Sequence, residues 1–297
     1  MAIARINQLS LANEQFLLIT DFKCQNNHVI PVNEIDSSSI LFDINGETNF
    51  QETRASQVPI DIKKDPISFE KYKESFEQVH AEITAGNTYL LNLTHPTPIQ
   101  CSADLRSIFH QANAKYKLYF DDQFVVFSPE TFVQISKGEI ASFPMKGTID
   151  ATLPDAKHTI LSSEKEMAEH AAIVDLIRND MSIRAKQVRV EKFRYIEEIK
   201  TSEKHLLQVS SKITGQLPEN YQAQLGDIIY SLLPAGSISG TPKKKSLEII
   251  DAAETYDRGY YTGIVGYFDG ENFDSGVMIR FIENNHGKKV YKSGGGR

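Results

Sequence analysis

Residues 162–185 read SSEKEMAEHAAIVDLIRNDMSIRA, and this stretch decides how the rest of the chain is understood. Ser163, followed three residues later by Glu166, has the spacing of a capping box, so a helix is expected to start here. Met167, Ala171, Val174 and Met181 recur at helical spacing with Ile173 and Ile177 beside them, which predicts a core-facing stripe. On the neighbouring stripe Glu166, Glu169 and His170 lie one turn apart. Two carboxylates on one helix face can converge on a hard cation such as Mg²⁺, which takes few protein carboxylates and keeps water or substrate oxygens. The same residues also describe a cap with a solvated acidic first turn that complements the helix dipole.

The 297 residues are 40% hydrophobic and 24% charged, enough for a substantial core in one large domain or two. A net charge of −7 argues against a nucleic-acid binder, and an anionic substrate would need locally placed cations. Cys24 and Cys101 have neither metal nor redox spacing and read as reduced thiols of a cytoplasmic protein. No leader-like N-terminus and no apolar run long enough to span a bilayer is found.

Working outward, IARINQLSL, FLLIT and SILFDI in the first 50 residues read as strands, and 51–66 as a polar loop. Phe69, Tyr72, Phe76, Val79 and Ile83 form the stripe of an amphipathic helix ending near Gly86. TYLLNLTHP (88–96) is expected as a strand, 103–114 as a helix, and 117–143 as three or four antiparallel strands. VRVEKFRYIEEI and HLLQVSSKITGQL read as strands, 221–232 and 241–253 as helices, and the end as a meander. Strands and helices without regular βαβ alternation predict an α+β fold with mostly antiparallel sheets.

Several further segments carry polar groups in unusual settings. Glu130 follows a proline at the end of an apolar strand (SPETF, 128–132), where a plain loop carboxylate is the simplest reading. Lys146 sits in PMKGT (144–148), which reads as a turn with Gly147 at the special backbone angle. His205 is in phase with Leu207, Val209 and Ile213, so it is expected to face the core. In LPAGSISGTPKKKSLEIID (233–251), Thr241 is a candidate cap, Pro242 fits the first helical position, and Lys243 adds charge to a helix start suited to anions. Arg280 alternates with Met278 and Ile282, and an inward arginine needs a carboxylate, either internal or from a ligand.

Taken together, EKEMAEH…VDLIRND, GNTYLLNLT (86–94), SPETF, PMKGT, PAGSISGTPK, RGYYTGIVGYF (258–268) and VMIRF (277–281) resemble, in order, the motifs of the chorismate-utilising enzymes. That family includes component I of anthranilate synthase and of aminodeoxychorismate synthase, and the isochorismate and salicylate synthases. The resemblance covers about residues 70–297 and implies one catalytic domain, 1–297, with a short strand region (1–65) before the family core (66–297). It implies two packed, mostly antiparallel β-sheets surrounded by helices.

The resemblance also implies roles. Glu166 and Glu169 would hold Mg²⁺, Glu130 would protonate the departing C4 hydroxyl of chorismate, and His205 would match the active-site histidine. Gly147, Thr148, Ser239, Gly240, Thr241 and Lys243 would shape the chorismate pocket, while Tyr261, Arg280, Gly294 and Gly296 would hold the pyruvyl carboxylate. Leu90 stands where isochorismate and salicylate synthases carry a water-activating lysine, which disfavours hydroxyl insertion. Lys146 stands where aminodeoxychorismate synthases carry a nucleophilic lysine and anthranilate synthases usually an alanine. PMKGT continues Ile149-Asp150-Ala151 instead of the usual Arg-Pro-Arg, and the family's final helix, with further metal-binding Glu residues, lies beyond the resemblance. The activity implied is that of aminodeoxychorismate synthase component I, with Mg²⁺ and with ammonia from a separate glutamine amidotransferase subunit. Anthranilate synthase component I and a non-catalytic chorismate- or partner-binding remnant are the alternatives.

Overall fold

A computed structural model describes residues 1–51, 59–200 and 205–296. The chain opens with α1 (Ala2–Leu11), followed by β1 (Phe16–Thr20), β2 (Asn27–Pro31), β3 (Ile40–Ile44), β4 (Glu47–Thr48) and β5 (Ile62–Lys64). Next come α2 (Phe69–Thr84), β6 (Leu90–Cys101) and α3 (Leu105–Gln111). Two hairpins follow: β7 (Tyr116–Phe120) with β8 (Phe124–Ser128), and β9 (Thr131–Ser136) with β10 (Glu139–Ser142). Then come β11 (Met145–Asp150), α4 (Ala156–Ser162), α5 (Glu164–Ser182), β12 (Lys186–Lys200) and β13 (His205–Gln216). The last part holds α6 (Leu225–Ser231), β14 (Gly240–Thr241), α7 (Lys243–Ala253), β15 (Ile264–Phe268), β16 (Phe273–Val277), β17 (Phe281–Asn285) and β18 (Lys288–Gly296).

These strands form two sheets, and the strand pairs among the described residues are antiparallel. The first runs β11-β13-β10-β9-β16-β15-β1-β2 with β12 on β13; the second runs β14-β6-β18-β17-β8-β7-β3-β4 with β5 on β6. Alternation along β1 shows how they stack. Leu17 and Ile19 join Phe42, Leu118, Phe124, Val126 and Phe281 of the second sheet in a core between the sheets. Phe16 and Leu18 face the other way, into a core shared with α1, α5, α6 and α7. Phe109 and Ile108 of α3 cover the outer face of the second sheet. The architecture is α+β, two packed antiparallel sheets with helices outside, as expected.

Three expectations about elements need correction. IARINQLSL is the helix α1, because Ile6 and Leu9, three apart, are its buried positions and pack on the first sheet and α6. The expected loop 51–66 contains the edge strand β5, and its residues 52–58 lie outside the described ones. On α2 the stripe is rotated: Ser75 and Val79 are buried, while Phe69 is 71% exposed.

Candidate active site

One pocket of about 270 Å³ lies where β11 of the first sheet approaches β18 and β6 of the second. Lys146, Glu130, Ser237, Tyr261, Arg280 and Gly296 line it, together with Asn92, Tyr291, Lys292 and Gly294. Lys146 enters from β11, where the register slips between Met145 and Thr148. Gly147 occupies that slip at φ +81°, so PMKGT is a bulged strand where a turn was expected. The bulge aims the lysine across to the second sheet. A Cβ on Gly296 would lie 2.9 Å from Lys146 Nζ, and 3.9 Å from Leu90 Cδ1.

Glu130 stands between β8 and β9. Its Oε1 accepts a short hydrogen bond from the Ser237 hydroxyl. Burial pushes its carboxyl above the usual range, more than Ser237 and the Lys146 charge pull it down. A carboxyl raised in this way is suited to donate a proton near neutral pH. Tyr261 is buried, its ring edge-on to Phe281, and burial raises its hydroxyl so that it remains a neutral donor.

Arg280 is not inward in the sense expected. It sits at the crossover from β16 to β17 with φ +51°, exposed to the pocket, and among the described residues it makes no ion pair. A non-glycine residue in that backbone region is uncommon and costs on the order of 1 kcal/mol or more. The strain turns the guanidinium toward the pocket and away from the core, leaving its fork free for an anion.

Helix α5 starts as its spacing predicts: the Ser163 side chain accepts a hydrogen bond from the Glu166 amide at 3.3 Å. Its buried face differs, with His170, Ile173, Val174, Leu176 and Met181 inward and Met167 45% exposed. Glu166 leans over the β11 bulge, its Oε2 3.1 Å from where a Gly147 Cβ would lie. Glu169 has only a long contact to Lys165, 3.9 Å, beside it. Neither carboxylate is occupied by a protein hydrogen-bond donor among the described residues, so both are available to a cation. No third His, Cys, Asp or Glu joins them among the described residues. The pair fits an oxygen-seeking ion that completes its shell with water and substrate oxygens, as Mg²⁺ does.

Several expected site residues take other places. His205, first in β13, pairs with Lys200, the last residue of β12, and its side chain is 39% exposed with its ring 3.3 Å from Glu198. The hairpin outruns the layer that buries it, so core-facing positions begin only at Leu207. The fully buried histidine is His170, whose Nε2 bonds the Ser211 hydroxyl at 2.7 Å. Lys243 is held by Asp180 at 2.6 Å and by the Leu232 carbonyl, so it ties α7 to α5 and is not free for an anion. Ser239 bonds the Ala235 carbonyl, and Gly240 and Thr241 form β14 against Leu91 and Leu90. Thr241 therefore does not cap α7, whose N-cap is Pro242 without a side-chain bond. Thr148 is exposed on β11, paired with Gln208. The Gly-rich loop delivers Ser237 instead, a residue of the quoted stretch that carried no distinguishing pattern.

Known proteins resemble this chain in sequence and in fold. Residues 9–296 match the chorismate binding enzyme family. An uncharacterised PabA-like protein of Haemophilus influenzae is 48% identical over 294 residues, 99% of this chain and 89% of that protein. Aminodeoxychorismate synthase component 1 of Klebsiella aerogenes is 34% identical over 247 residues, 77% of this chain and 53% of its own length. This chain thus spans about half of that synthase. The structure of isochorismate synthase DhbC from Bacillus anthracis superimposes with a TM-score of 0.71 at 18% identity, covering 98% of this chain and 80% of that one. With a family match that spans residues 9–296, the chain belongs to the chorismate binding enzyme family.

Proposed function

We propose that the protein acts as component I of an aminodeoxychorismate synthase, replacing the C4 hydroxyl of chorismate by an amino group in 4-aminobenzoate synthesis. The observation that carries this reading is Lys146, reaching into the pocket beside Glu130 and opposite Arg280. Arg280 and Tyr261 would hold the pyruvyl carboxylate, the arginine through a two-pronged bond and the tyrosine as a neutral donor. Mg²⁺ on Glu166 and Glu169 would supply charge for the ring carboxylate. The neutral Lys146 amine adds at C2 while Glu130 gives its proton to the departing hydroxyl, which leaves as water. Ammonia then attacks C4 and expels the lysine from C2, and the new ammonium returns a proton to Glu130. Leu90, buried at the edge of this pocket, offers no base to activate water there. Ammonia would come from a separate glutamine amidotransferase in the cytoplasm.

The test is product analysis after incubation with chorismate, Mg²⁺ and ammonium. The reading expects 4-amino-4-deoxychorismate from the wild type. Lys146→Ala should lose most of it, by about 100-fold or more, while chorismate affinity changes much less. Anthranilate as the product, or wild-type rates from Lys146→Ala, would overturn it.

A further inference from the structure

Behind Glu130 lies a second, smaller cavity of about 30 Å³. Its walls are mostly apolar, with Phe132, Ile177, Met181, Leu232, Ala235 and Val277 among them. Glu130 and Ser237 line both this cavity and the main pocket, so their hydrogen-bonded pair is the partition between the two. Ser237 occupies Oε1, and among the described residues no donor reaches Oε2. That oxygen is therefore free for a further hydrogen bond. Ser142, whose hydroxyl donates to the Phe132 carbonyl at 3.1 Å, adds a second acceptor to the wall. A void of about 10–15 Å³ suffices for one water if two or more polar groups meet it. The space is too small for a cofactor or substrate ring, and its other carboxylate, Asp180, is already paired with Lys243 at 2.6 Å.

We infer that this inner cavity is a binding site for one small neutral hydrogen-bonding molecule, water or ammonia. That molecule is held against Glu130 and exchanges with the main pocket past Glu130 and Ser237. Its role rests on the proposed amination. That reaction consumes one ammonia and releases one water at C4, while the Glu130 proton leaves with the hydroxyl and returns from the new ammonium. A chamber on the far side of Glu130 takes up the released water, or holds the incoming ammonia, while substrate fills the main pocket.

Crystal structures of the wild type and of Ala235→Val, with and without xenon pressure, test the site independently of activity. The wild type should show one solvent peak inside this cavity, within hydrogen-bonding distance of Glu130 or Ser142, and no xenon, and Ala235→Val should lack the peak. A dry cavity that takes up xenon would overturn the inference, because apolar voids behave in that way. Val277→Ile fills the same space from another strand and serves if Ala235→Val does not fold. Kinetics then separate the two occupants. If ammonia uses the cavity, KM for ammonium in Ala235→Val should rise about fivefold or more, with chorismate affinity unchanged. Loss of the peak with an unchanged KM assigns the site to water. Absence of any amination would sink the proposed activity, while the solvent peak would still decide the site.

Discussion

At the scale of single residues, the site depends on groups that leave room for one another. The Lys146 ammonium occupies the space a side chain at Gly296 would need, 2.9 Å from its Cβ position. Because Nζ is the free end of a flexible chain, Gly296→Ala should fold normally while pushing the lysine aside. A displacement near 1 Å costs on the order of 100-fold in kcat, so turnover should fall by about that factor with the melting temperature almost unchanged. A Gly296→Ala protein with wild-type turnover would show that the position of Lys146 is not critical. Glu130 makes a pH prediction. Its carboxyl is raised by burial, so the wild type loses stability as pH rises through that raised value, where the buried acid must ionise. Glu130→Gln removes this dependence, and calorimetry between pH 5 and 8 should show the variant losing less stability on the alkaline side. Parallel pH profiles would mean that the carboxyl is not perturbed. Glu130, Lys146, Tyr261 and Arg280 were legible because each stands in a recognisable motif. Ser237 and Asn92 were not, since their placement depends on which loop crosses the pocket mouth and not on local pattern.

At the scale of elements, α5 shows how a polar residue escapes a hydrophobicity pattern. The apolar periodicity placed Met167 and Ala171 inside, yet both are exposed and His170 takes the core face. Histidine is allowed there because Ser211 of β13 supplies a hydroxyl, which also accepts from the Arg194 amide at 2.9 Å. The partner lies 41 residues away, so sequence spacing gave no sign of it. The α1 segment was misread for a related reason: its Ile6 and Leu9 also suit a short apolar strand, and only packing against α6 decides. Burial, helped by the charges of Arg194 and Lys146, lowers the His170 pKa to about 4. Below about pH 6.5 the unfolded chain takes up a proton that the folded chain refuses, so stability falls until pH reaches about 4. The loss should approach about 3 kcal/mol. In metal-free buffer, His170→Gln should keep the Ser211 bond and flatten this acid limb. Denaturant titrations at pH 4.5 and 7 check it, and an equal acid loss in both proteins would remove His170 as the cause.

At the scale of the whole molecule, the pocket belongs to neither sheet alone. Lys146 comes from the edge strand of the first sheet, and Gly294 and Gly296 from an inner strand of the second. Arg280 comes from the crossover where the chain passes from one to the other. The protein carries a net charge of −7, yet Lys146 and Arg280 face this pocket without forming an ion pair among the described residues. Cations left uncompensated in a cleft of an acidic protein make a local field for an anion. By contrast, Arg258 and Lys292 nearby are neutralised by Glu254 and Glu283. A dianionic ligand that touches both sheets should therefore stabilise the entire fold. At about 100 times its Kd, one bound chorismate contributes about 2.7 kcal/mol, visible as a higher melting temperature. Arg280→Lys replaces a planar fork with a point charge and should weaken binding at least about tenfold, or about 1.4 kcal/mol. The ligand-free melting temperature should change little, because Arg280 makes no internal ion pair to lose, while the rise with chorismate should shrink by about half at the same ligand concentration. Thermal unfolding of both proteins across a chorismate series separates these effects. An undiminished rise in Arg280→Lys would show that the carboxylate is held elsewhere in the pocket.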